Sequence, residues 1–219
     1  MTLVKVCGLR SLAEARVALA AGANLLGFIF WKPGKRYIAP EQAAHIVGTL
    51  RAESPYSAWS AVGVFVDPSL SEVEEATAVC GLDQVQLSGQ ESVDLIRAMP
   101  RPTIKAIHVR AGREVAAAEL VLNDTLAAHR YLLDTHADGL PGGTGVTFNW
   151  HALQPVGPRC LVAGGLRPDN VASAVETLSP LGVDVSSGVE FPHAAGGGKD
   201  PRLIHAFLEA VRSHDHRPR

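Results

Sequence analysis

Three glycine-rich runs lie in the second half of the chain: Gly142-Gly143-Thr144-Gly145, Gly164-Gly165 and Ser186-Ser187-Gly188. Glycine lets backbone N–H groups converge and approach an anion closely, so such runs can cradle a phosphate without a lysine. One pair alone would be a tight turn; three runs, each following an apolar strand-like segment, point to one shared cradle. Two ionisable side chains bracket them. Asp134 ends the run Tyr131-Leu132-Leu133, and Cys7 ends Val4-Lys5-Val6. A carboxyl and a thiol on opposite sides of an anchored ligand supply the acid and base of a proton-transfer isomerisation. Each also has a plainer reading, Cys7 as a small buried hydrophobe and Asp134 as a loop cap. Arg36, in the basic loop Lys32-Pro33-Gly34-Lys35-Arg36-Tyr37, is either surface charge or a planar donor for a carboxylate at the ligand's far end. His108 is the histidine placed nearest the same mouth, and reads as a hydrogen-bonded structural residue.

For these residues to meet, their strands must be neighbours. Short apolar, β-branched runs alternate with amphipathic stretches eight times, the pattern of buried parallel strands joined by helices. Strands are predicted at 4–7, 25–30, 61–66, 84–87, 104–109, 130–133, 160–163 and 183–186. Helices are predicted at 11–21, 40–51, 70–79, 92–99, 113–127, 168–177 and 201–212. Ser11 followed by Glu14 reads as a capping box, and Gly22 as the residue that ends the first helix. Eight units without a break in composition favour an α/β fold of one domain over 1–219, a (β/α)8 TIM barrel with a closed parallel sheet, because closure leaves no edge strand exposed. A doubly wound open sheet is the alternative. In the barrel, chemistry sits on the loops after the strands, and strands seven and eight lie between the ends of six and one.

Composition narrows the partners. The 219 residues carry 20 Lys+Arg against 22 Asp+Glu, so no summed basic field would hold nucleic acid or an acidic membrane, and a small molecule fits better. The amino terminus enters a strand pattern directly, without a signal peptide, and no apolar run approaches a membrane span, which reads as cytoplasmic. Cys7, Cys80 and Cys160 lack the close spacing of a zinc or redox site and read as reduced thiols. The nine histidines form no metal-ligand pattern, so neither a metal nor an organic cofactor is expected. Residues 51–60 read as one surface connection and 213–219 as a disordered polar tail. Monomer and homodimer both stay open.

Taken together, Lys5-Val6-Cys7-Gly8-Leu9, Gly27-Phe28-Ile29-Phe30, Lys35-Arg36-Tyr37-Ile38, Val62-Gly63-Val64-Phe65-Val66, Val85-Gln86-Leu87, Leu132-Leu133-Asp134-Thr135, the segment 142–150, Gly164-Gly165-Leu166-Arg167-Pro168 and Val183-Asp184-Val185-Ser186-Ser187-Gly188 resemble the phosphoribosylanthranilate isomerase family of tryptophan biosynthesis. The resemblance runs through nearly the whole chain. It implies an Amadori rearrangement of N-(5-phosphoribosyl)anthranilate, with Asp134 as general acid, Cys7 as general base, Arg36 at the anthranilate carboxylate and Asp184 as a further ligand-shell residue. Two departures stand out: Ser88 occupies a position where the family usually has histidine, and the connection 191–198 is longer than usual and reads as a disordered loop. Two rivals remain. The related isomerase of histidine biosynthesis typically carries a carboxylate where Cys7 stands, and a catalytically silent, phosphate-binding barrel would not need both Cys7 and Asp134.

Overall fold

The eight alternations become eight parallel strands: β1 (Leu3–Cys7), β2 (Leu25–Ile29), β3 (Ser60–Phe65), β4 (Gln84–Leu87), β5 (Thr103–Val109), β6 (Arg130–Thr135), β7 (Cys160–Ala163) and β8 (Gly182–Val185). Around them run α1 (Leu12–Ala21), α2 (Pro40–Glu53), α3 (Leu70–Cys80), α4 (Val93–Arg97), α5 (Glu114–Leu122), α6 (Val171–Leu178) and α7 (Pro201–Asp215). This computed structural model describes residues 1–53, 58–110, 112–135, 150–192 and 198–215. Each strand pairs with the next, and β8 pairs with β1 through Leu3↔Gly182 to Val6↔Val185, so the sheet closes into a barrel.

The period-2 alternation of each strand sorts its side chains between two cores. Leu25, Val62, Ile104, Ala106, Leu132, Leu161 and Ala163 fill the barrel. The alternate residues, among them Val4, Val6, Leu26, Phe28, Val183 and Val185, pack outward against the helices. Two residues further along the inward face of β1 and β6 stand Cys7 and Asp134, at the ends where the following loops begin.

Local signals explain most boundaries. Ser11 Oγ accepts from the Glu14 amide at 3.2 Å, and Gly22 closes α1 with φ 94°. The Glu14 carboxylate does not complete a capping box; it accepts instead from the amides of Arg10 at 2.7 Å and Lys199 at 3.0 Å, and so joins the loop after β1 to the segment before α7. The reciprocal box forms on α3, between Ser69 and Glu72.

Three predicted helices shift by three residues or more, and one stretch with no predicted element is helical. Between β6 and β7 the chain uses a 3-10 segment, Trp150–Arg159, because Pro155 and Pro158 cannot donate to an α-helical ladder. Helix α5 stops at Leu122 rather than 127, and Asp124 and Ala127 take φ of 49° and 50°. Helix α6 starts at Val171 rather than 168, since Asn170 Oδ1 accepts from the Arg167 amide at 2.7 Å and shapes a turn there. Helix α7 runs on into the expected tail as far as Asp215, whose carboxylate accepts from Thr2 N at 2.7 Å and Thr2 Oγ1 at 2.8 Å. No helix among the described residues is long and apolar enough to cross a membrane.

Candidate active site

The inward face of β1 carries an ammonium and a thiol two residues apart. Lys5 is fully buried, and its Nζ lies 3.1 Å from both carboxylate oxygens of Asp184 on β8. The same ammonium acts electrostatically on the Cys7 thiol. Gly27 on β2 makes room for both groups: a Cβ there would come 2.9 Å from Cys7 Sγ and 3.2 Å from Lys5 Nζ. Burial drives a lysine and a carboxyl toward their neutral forms, but the Asp184 carboxylate at 3.1 Å and the neighbouring Cys7 raise the Lys5 pKa. For Cys7, burial pushes the thiol up, the Lys5 cation pulls it back, and Asp184 opposes Lys5. The charge of Asp134 is felt at Asp184 as well, so β1, β6 and β8 share one basin.

Above this cluster lies a second, built from the loops. Gly8 takes φ 76°, and a Cβ there would fall 2.6 Å from Arg36 Cδ and 3.2 Å from Ser186 Oγ; its glycine lets Arg36 lie across the end of β1. Glu190 accepts from Arg36 Nε at 2.5 Å and Nη2 at 2.8 Å, and from Lys199 Nζ at 2.9 Å. Lys199, nearly fully buried, also donates to the Ser186 carbonyl at 3.0 Å and to Ser186 Oγ at 3.3 Å. Ser186 Oγ in turn donates to the Cys7 carbonyl at 3.1 Å. Arg36 therefore arrives with one edge already taken by Glu190, and the Nη1–Nη2 edge is the one that can meet a second carboxylate.

Burial raises the Glu190 pKa, but hydrogen bonds from Arg36 and Lys199 overcome it and hold the group at about 2, well below its ordinary 4.5. A carboxylate depressed on folding contributes stability that is complete above its unfolded pKa and is lost as pH falls through the folded one. The stability gap between wild type and Glu190→Gln, read as urea midpoints, is therefore expected to be full above pH 4.5 and to close toward pH 2. A gap independent of pH over that window would show that the carboxylate charge is not what holds Arg36 and Lys199.

Asp134 is partly exposed at the end of β6, paired in register with His108 on β5. His108 Nδ1 lies 3.6 Å from Asp134 Oδ2, and Nε2 lies 2.9 Å from the Ser88 carbonyl on the loop after β4. The nearby Asp134 carboxylate leads the causes that raise the His108 pKa, against burial.

Of the three glycine-rich runs, 142–145 lies outside the described residues. Gly164 and Gly165 take φ of 92° and 63°, and among the described residues a Cβ on Gly165 would meet nothing within 4 Å. The Gly165 carbonyl is turned onto Asn170 Nδ2 at 3.0 Å. Among the described residues, the amides of Gly165, Ser187 and Gly188 donate no hydrogen bond. Ser186, predicted as a ligand contact, has its hydroxyl on the Cys7 carbonyl, which ties β8 to β1.

The structure thus brings Cys7, Asp134 and Asp184 to one basin, with Arg36 at its rim and the ends of β7 and β8 beside it. Sequence reasoning gave no role to Lys5, Glu190 or Lys199, and took His108 for a structural residue. The signal for Lys5 was a lysine in an otherwise apolar strand, two residues before the thiol on the same face. Among the described residues, no group of three or more His, Cys, Asp or Glu side chains is arranged to hold a metal ion.

The family described as N-(5'phosphoribosyl)anthranilate (PRA) isomerase matches residues 4–210. The chain is 41% identical over 217 residues to the N-(5'-phosphoribosyl)anthranilate isomerase of Syntrophus aciditrophicus, covering 98% of this chain and 89% of the relative. It is 42% identical over 212 residues to the enzyme of Nitrosomonas eutropha, covering 96% of each. Among solved structures, phosphoribosyl anthranilate isomerase from Thermotoga maritima superposes with a TM-score of 0.83 at 34% identity, covering 97% of this chain and 100% of that one. A phosphoribosyl anthranilate isomerase in complex with reduced 1-(o-carboxyphenylamino)-1-deoxyribulose 5-phosphate superposes with a TM-score of 0.79 at 32% identity, covering 97% and 100%. A closed barrel with an acid and a thiol at its mouth, matched over nearly its full length at this identity, belongs to the N-(5'-phosphoribosyl)anthranilate isomerase family.

Proposed function

We propose that Asp134 and Cys7 divide between them the two proton transfers of the family's reaction. The protein is an isomerase of tryptophan biosynthesis, converting N-(5-phosphoribosyl)anthranilate to 1-(2-carboxyphenylamino)-1-deoxyribulose 5-phosphate by an Amadori rearrangement. Asp134 gives its proton to the furanose ring oxygen as the C1–O bond breaks, leaving a Schiff base between C1 and the anthranilate nitrogen. The Cys7 thiolate then takes the proton from C2; that electron pair forms the C1=C2 bond and neutralises the nitrogen. The resulting enolamine becomes the ketose by moving the O2 proton to C1, so the isomerisation gains and loses no atom.

The observation that carries this reading is the buried Lys5 ammonium on the same strand face as Cys7, both groups seated over Gly27. A buried thiol without a cation beside it is inert, whereas a fixed ammonium favours the thiolate that the base must be. Asp184 holds that ammonium in place and turns its remaining exposed edge toward the pentose. Arg36 meets the anthranilate carboxylate with the edge that Glu190 leaves open. The free amides of Gly165, Ser187 and Gly188, together with Ser186, Gly164 and the run from Gly142 and Gly143 to Thr144 and Gly145, take the phosphate, whose charge several converging N–H dipoles stabilise. The three cysteines are free and buried, in keeping with a reducing, cytoplasmic setting.

Purified protein incubated with chelator and phosphoribosylanthranilate is expected to consume the substrate, followed as loss of its fluorescence. Saturable binding without turnover would instead make the barrel a silent receptor.

A further inference from the structure

The acid of this reaction has a difficulty that the geometry around it addresses. The acid must carry a proton when it acts, and Asp134 is partly exposed at the mouth rather than sealed in an apolar pocket. A strong but scarcely populated acid is less effective than one whose pKa lies near the working pH. The side chain facing Asp134 across the β5–β6 pairing is His108.

The orientation of that ring is fixed by its other nitrogen. Nε2 lies 2.9 Å from the Ser88 carbonyl, and a carbonyl only accepts, so Nε2 carries a hydrogen in either charge state. Ser88 is itself held, since its hydroxyl accepts from Gln86 Nε2 at 3.1 Å. The nitrogen that gains and loses a proton is therefore Nδ1, which points at Asp134 Oδ2 from 3.6 Å. This is the arrangement of a base oriented by a third group, run in the acid direction. The spacing is slightly beyond a hydrogen bond, as catalytic contacts often are before substrate closes the site. The other charged group acting on the ring is Lys105, three residues earlier on β5. Its ammonium lies 2.5 Å from Glu91 Oε2 and 2.7 Å from the Gly89 carbonyl, so its positive charge is matched locally.

We propose that His108 is a positioning residue that acts through Asp134: the proton on its Nδ1 passes to the Asp134 carboxylate and from there to the ring oxygen. Each transfer moves one proton, so the imidazolium becomes neutral imidazole, Asp134 ends as it began, and the substrate gains the proton. The inference rests on Asp134 being the acid, and the experiment separates the two.

His108→Gln keeps a donor for the Ser88 carbonyl and removes the titrating nitrogen; His108→Ala removes both. With phosphoribosylanthranilate as substrate, kcat is measured from pH 5 to pH 9 for wild type, both variants and Asp134→Asn. The wild-type to His108→Gln ratio of kcat is expected to climb with pH, reaching about 10-fold near neutrality, with KM little changed. The break in the profile that belongs to the acid moves to lower pH, and His108→Ala behaves the same way. A ratio that stays flat, rescue of the wild-type profile by glutamine, or an effect confined to KM would overturn the proposal, the last by making His108 a ligand contact. If Asp134→Asn retains turnover, the assignment of the acid itself has failed; if it is inactive while His108→Gln keeps the wild-type profile, only the role of His108 has.

Discussion

Serine in place of Cys7, and asparagine in place of Asp134, are each expected to lower kcat at least ~100-fold while leaving KM within a few-fold of wild type. The two substitutions are close to isosteric and disturb little else. A serine hydroxyl at position 7 can still accept from the Lys5 ammonium, so no buried group loses its partner, but it ionises far less readily than a thiol. Asparagine at 134 sits in a partly exposed site and pairs with no buried cation, yet it has no transferable acid proton. Unfolding midpoints close to wild type alongside the kinetic loss would separate chemistry from folding. Near-normal kcat in either variant would cancel that residue's role, and a raised KM with kcat intact would move it to ligand binding.

Lys5 gives the second large effect, and here folding and catalysis must be pulled apart. Lys5→Met leaves the Asp184 carboxylate buried beside a methyl group, and breaking a buried pair in this way costs about 3–5 kcal/mol. Removing both partners, as in Lys5→Met with Asp184→Leu, is expected to return most of that stability, because well-packed apolar replacements escape the desolvation cost of both charges. Activity should not return with it. In Cys7 the downward pull of Lys5 exceeds the opposing push of Asp184, so the double variant holds a thiol further above its usual range than wild type does. Each unit of that rise costs about tenfold in thiolate at neutral pH, and kcat/KM is expected to fall by ~10-fold or more. A double variant that is both stable and fully active would reduce the pair to a structural brace.

The distance between partners along the chain explains which parts of this site could be read from sequence. Strand positions followed from apolar, β-branched runs, and Cys7 and Asp134 stood out because each ends such a run, where a barrel places its chemistry. Where local signals conflicted, the reading fell short: Pro155 and Pro158 lie in a 3-10 segment where no element was predicted, and Asn170 displaced the start of α6. Lys5 looked like part of a motif without a task, because the group that defines its role lies 179 residues away on β8. Glu190 likewise gains its function from Arg36, 154 residues earlier. Periodicity reports which face a residue occupies, but not which charge on a distant strand will share that face. His108 was the intermediate case, legible as a mouth residue and not as the partner of Asp134, since the β5–β6 register decides that contact.

The pairing of Lys5 with Asp184 joins the first strand to the last, and this has a bearing on how the enzyme comes into being. As the polypeptide leaves the ribosome, the ammonium and the thiol are made well before the carboxylate that stabilises that ammonium, which follows 179 positions later. Contacts between such remote segments form late because the entropy of closing so large a loop must be met first. No nascent fragment short of β8 can hold the thiol in its working surroundings, so catalytic competence begins only when the ring of strands is sealed.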